Sequence, residues 1–136
     1  SCATDPQLRA AGARARAGAD LIVNHVGHWR RIVIRHGGFV FTPPDGAPYA
    51  RVAERNDLPS VLQPDDCIVA MPEEVEALLD VVEAFIRLGG DADVFYDGIR
   101  ARVAITHHYE IEFGGRITAS LRDAVRKSGL AYFIAA

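Results

Sequence analysis

The chain has 136 residues, a formal net charge of −3 and 49 % apolar residues, enough for one domain, 1–136, with a substantial core. No stretch reaches the roughly 18 to 20 apolar residues of a membrane span. The negative balance argues against a dedicated nucleic-acid binder, and two cysteines are too few for a disulfide framework.

The charge is unevenly spread. Residues 57–97 carry eleven acids against one base, whereas 1–56 carry eight arginines against four acids and 98–136 six bases against three acids. Such a block either pairs with the basic segments inside the fold or presents an acidic face to a partner with a basic surface. The opening residues hold no secretory apolar region. A lipidated cysteine would be the first residue of a mature lipoprotein, but Ser1 precedes Cys2. A cytoplasmic protein is therefore expected, or a virion-associated one if the source is a phage.

Asp5-Pro6 has the form of a helix start. Leu8, Ala11, Ala15, Ala19, Ile22, Val26 and Trp29 follow at three- and four-residue spacing. This predicts one long N-terminal helix with an alanine-rich face suited to close packing. Arg31–Arg35 and Phe39–Thr42, joined by His36-Gly37-Gly38, read as a hairpin that Pro43-Pro44-Asp45-Gly46 ends. Residues 49–53 could form a short strand, residues 56–66 a loop, and Cys67–Met71 a short buried strand. Pro72–Leu88 is a helix with Pro at its start, acids in its first turn, and an apolar stripe of Val75, Leu78, Leu79, Val82, Phe85 and Ile86. Gly89-Gly90 ends it.

Val94-Phe95-Tyr96, then Asp97-Gly98, then Ile99 onward is a hairpin signal. The returning strand is predicted to run on to Phe113, with Val103, Ile105, His107, Tyr109, Ile111 and Phe113 on one side. Gly114-Gly115 is a turn, Ser120 caps a short helix, and Leu130–Ala135 closes the chain as a strand. The expected fold is α+β. A mainly antiparallel sheet of about five or six strands carries the long N-terminal helix and the central amphipathic helix on one face.

All five histidines fall in three islands: His25 and His28, His36, and His107 and His108. His25 and His28, three apart, would share a helix face. With His108 and Glu110 they could form a zinc-type shell in which Glu110 serves as base to a metal-bound water. The plainer reading makes His25 and His28 favourable charges at a helix end, His36 a turn residue and His107 a core residue. Otherwise His107, Tyr109 and Tyr96 would line a ligand pocket. No phosphate-binding glycine loop with lysine, no dinucleotide fingerprint and no nucleophile elbow is present.

These absences favour a small non-catalytic bacterial or phage protein without a cofactor. It would act through a protein partner or as a homo-oligomer, as an assembly component, adaptor or inhibitor-type module. The alternative is a metal-dependent or acid–base enzyme, or a small-ligand binder, built on His25, His28, His108 and Glu110 with a divalent ion such as zinc.

Overall fold

A computed structural model describes residues 2–4, 12–36, 67–88, 91–108, 110–130 and 132–134. Its seven strands are β1 (Cys2–Thr4), β2 (Arg31–His36), β3 (Cys67–Ala70), β4 (Ala92–Asp97), β5 (Ala101–Ile105), β6 (Ile111–Gly115) and β7 (Tyr132–Ile134). Its helices are α1 (Gly12–Asn24), α2 (Val75–Leu88) and α3 (Ala119–Lys127), and a 3-10 turn, Pro72–Glu74, leads into α2. The strands form one sheet in the order β3-β2-β4-β5-β6-β1-β7, and every pairing is antiparallel.

The α+β class and the antiparallel sheet match the sequence reading. The strand count exceeds it, because Cys2–Thr4 is too short to show a period and becomes a strand only between β6 and β7. β2 does not depend on a hairpin partner next in sequence. It pairs with β3 and β4, from Arg31↔Asp97 to His36↔Ala92. The expected second arm at 39–42, the segment at 49–53, the loop at 56–66, the helix start at 5–11 and the glycines 89 and 90 lie outside the described residues.

The inner face of the sheet alternates as its pattern requires. Ile32, Ile34, Val94, Tyr96, Val103, Ile105, Ile111 and Phe113 are buried together with Ala15, Ala19 and Ile22 of α1 and Leu78, Val82 and Phe85 of α2. α1 and α2 pack on each other. At their contact, a Cβ on Gly18 would stand 2.7 Å from Ile111 Cδ1 and 3.2 Å from Ile86 Cδ1, so glycine permits this approach. Arg16 of α1 fastens the same pair, with Nη1 donating to Asp80 Oδ1 at 2.8 Å and Glu83 Oε2 at 3.3 Å. The hydrogen bond it donates to Asp80, helped by that to Glu83, holds the Arg16 guanidinium above its ordinary pKa.

α1 ends at Asn24 rather than continuing to Trp29, and the cause is visible in its last turn. The His25 amide donates to Leu21 O at 3.2 Å. The Tyr96 hydroxyl donates to Ile22 O at 2.6 Å, and Trp29 Nε1 donates to Val23 O at 2.8 Å. Two side chains thus take carbonyls that a continuing helix would have bonded, and Gly27, at φ 154, turns the chain away.

Three further expectations are corrected. The long strand from Ile99 to Phe113 is two strands, β5 and β6, with a reversal between Ile105 and Ile111. The period of two continues through the reversal, so periodicity could not reveal it. Thr118, not Ser120, caps α3, accepting from the Leu121 amide at 3.1 Å. Cys67 is exposed rather than buried, because the register places it opposite Arg35 on the outer face.

Candidate functional site

The island of His25 and His28 lies apart from that of His107 and His108, whereas His36, opposite Ala92, is at the same end of the sheet as His107. His25 and His28 follow the end of α1, beside the β4–β5 reversal: Gly27 lies against Ile99, and the Arg30 amide donates to Asp97 O at 2.8 Å. His108 and Glu110 sit at the β5–β6 reversal, beyond the other end of β5. Four residue steps lead from Ala101 to Ile105, so roughly 13 Å of strand lies between the two ends. The four side chains of the zinc-type shell are therefore kept apart, and no group of three potential ligands occurs among the described residues. His25 and His28 also share no helix face, since α1 stops before both.

His107 is not a core residue. Its side chain is 61 % exposed, and Asp91 holds it at the reversal. The His107 amide donates to Asp91 Oδ1 at 2.8 Å, and ring Nδ1 lies 3.0 Å from the same oxygen. The neighbouring His108 ring centroid is 4.0 Å away. Tyr96 lies at the opposite end of β4 from Asp91, buried and bonded to α1. His107 and Tyr96 thus line no common pocket, and Tyr109 lies outside the described residues. His36 is the last residue of β2, opposite Ala92, rather than part of a turn.

A cleft of about 390 Å³ between α1 and α3 holds the second histidine–carboxylate pair. His25 Nε2 is 2.9 Å from Asp20 Oδ2, and Lys127 Nζ is 2.9 Å from Asp123 Oδ2. The Asp123 hydrogen bond raises the Lys127 pKa. The His25 and Asp20 side chains are 40 % and 48 % exposed, so water competes with their contact. Ser128 is no nucleophile here: its hydroxyl donates to Val125 O at 2.6 Å and accepts from the Leu130 amide at 3.2 Å, closing the end of α3.

The outer face of the sheet is different in kind. Register sets Val69, Val33, Phe95 and Arg102 in one row across β3, β2, β4 and β5. Val69 is 52 % and Phe95 39 % exposed, and Met71, just past β3, is 44 % exposed. Arg–Asp neighbours border this apolar row on both sides. Arg31 Nε donates to Asp97 Oδ2 at 2.6 Å, and Arg35 stands opposite Asp93. β3 is also one edge of the sheet. Between it and α2 runs a groove of about 80 Å³ lined by Ile68, Val69, Ala70, Ala77, Leu78 and Val81, with Glu74 at its rim.

This surface carried only a weak signal in the sequence. Val33 and Val69 stand inside short runs of apolar residues that read as buried throughout, and only the strand order shows which of them face outward. Four acids of the block are engaged within the fold: Asp80 and Glu83 with Arg16, Asp97 with Arg31, and Asp91 with His107.

Fold and surface define an antiparallel α+β protein with one sheet face closed by helices and the other carrying an exposed apolar row. Compared with family models, curated proteins and solved structures, the chain matches none. No helix among the described residues is long and apolar enough to cross a membrane.

Proposed function

We propose that this protein acts by binding another protein through the outer face of its sheet, as an assembly component, adaptor or inhibitor-type module. The row of exposed Val69, half-buried Val33 and exposed Phe95 carries this reading. An aromatic ring beside β-branched residues, bordered by charged Arg and Asp side chains, matches the usual make-up of a binding surface: an apolar centre within a polar rim. The β3 edge supports it further, because a short edge strand beside an apolar groove can accept an added strand. The reading is also favoured over a metal enzyme because His25 and His28 lie at the other end of β5 from His108 and Glu110.

The test pairs sedimentation at micromolar concentration with cross-linked capture from the cells that make the protein, using the wild type and a Val69→Arg, Phe95→Glu double variant. The wild type is expected to self-associate or to capture a partner in stoichiometric amount. The variant should lose that complex while keeping its circular dichroism. A strictly monomeric wild type with no saturable partner refutes the proposal, and so does equal capture by the variant.

A further inference from the structure

A second surface lies at the end of the sheet where β4 turns into β5. Ala101 and Gly115 are the last pair of the β5–β6 ladder, and Arg100 and Arg116 lie just beyond it, across from each other. The Arg116 amide donates to Arg100 O at 2.7 Å, so the backbone fixes this opposition. Gly115 makes the approach possible: at φ +78, a Cβ there would stand 2.8 Å from Arg100 O. Like charges set directly opposite on neighbouring strands repel, and proteins generally avoid the arrangement.

Nothing among the described residues offsets the repulsion. Both arginines are exposed, and neither forms an ion pair with a described carboxylate. The nearest acid along the chain, Asp97, is already held by Arg31. Arg30 adds a third cation, its side chain lying over Gly98. The two opposed arginines line a cleft of about 330 Å³, at the small end of the range for small-molecule sites. Val26 and Ile99 give its walls an apolar character, Thr118 contributes a hydroxyl, and no acid lines it among the described residues.

The geometry points to this cleft as a binding site for a small organic oxyanion, such as a phosphate monoester, whose charged group bridges Arg100 and Arg116 while its apolar body rests on Val26 and Ile99. Guanidinium groups suit this task because their planar donors match oxyanion geometry. The bound anion would supply the countercharge that the fold omits. The site is separate from the outer-face row and stands or falls independently of it.

The probes are phenyl phosphate and inorganic phosphate, titrated against the full chain by amide chemical shift and by thermal melting. Phenyl phosphate is expected to saturate below 1 mM, at least tenfold tighter than inorganic phosphate, with shifts centred on Gly27, Ile99, Arg100, Arg116 and Thr118. R100Q with R116Q should abolish the phosphate-induced rise in Tm. Without phosphate, that variant should melt at or above the wild-type temperature, because the repulsion has been removed. This last readout separates loss of a site from loss of the fold. No saturation by phenyl phosphate at 20 mM overturns the inference, as does unchanged binding by the double variant. A 12-nucleotide single strand that binds far more tightly than phenyl phosphate also overturns it, in favour of a polyanion surface.

Discussion

Phe113 and Phe95 stand on the same sheet and have opposite roles. Phe113 is 1 % exposed on the inner face, among side chains that close the core, whereas Phe95 is 39 % exposed on the outer face. Both lie in strands with the same alternation of residues. The difference comes from what covers each face: helices on one side, and on the other a row flanked by Arg–Asp neighbours. A residue of the first kind contributes to stability. A residue of the second kind is available for recognition at little structural cost.

The largest effect should come from Phe113→Ala, which opens a cavity in the core and is expected to cost about 3–5 kcal/mol. A denaturant midpoint close to that of the wild type would show that the inner face is not packed as described. Tyr96→Phe should cost less, about 1–3 kcal/mol, by leaving the buried Ile22 carbonyl without its donor.

Tyr96 also gives a pH signature. Burial raises its pKa well above the ordinary tyrosine range. The neutral phenol is favoured in the folded state, so its contribution is fully present below about pH 10. It is lost as pH rises beyond that value, because the unfolded chain ionises first. Stability should therefore fall above about pH 10 with a slope that Tyr96→Phe reduces. An identical alkaline slope in the variant would count against the burial of the hydroxyl.

On the outer face the effects on stability shrink. Arg31→Met removes a half-exposed ion pair with Asp97 and should cost no more than about 1 kcal/mol, falling further in high salt. Phe95→Glu should change stability by less than about 0.5 kcal/mol, yet abolish the proposed protein complex. If Phe95→Glu unfolds the chain instead, the two faces do not differ in the way their exposures indicate. Equilibrium unfolding of the four variants side by side measures the whole gradient.

Much of the local structure was legible in the sequence. The stripe from Val75 to Ile86 specifies an amphipathic helix because its period of 3.6 has only one way to bury itself. The Asp97-Gly98 reversal announces the β4–β5 hairpin, and Gly98 adopts the positive φ of 101 that the turn demands. The sequence also marked the histidine islands as the place where chemistry could lie and the acidic block as a face for internal pairing or a basic partner.

Pairing was not legible, because strand partners far apart in sequence leave no local trace. Only the tertiary structure put Cys2–Thr4 between β6 and β7, broke the 99–113 run into two strands, and stopped α1 at Asn24 by bonding Tyr96 and Trp29 to its last carbonyls. It also decided the sites. The same strand that separates His28 from His108 ends where Arg100 and Arg116 meet, held by the bond from the Arg116 amide to Arg100 O just past the ladder. Composition and period determine what a segment can be, whereas long-range backbone hydrogen bonding determines which residues meet.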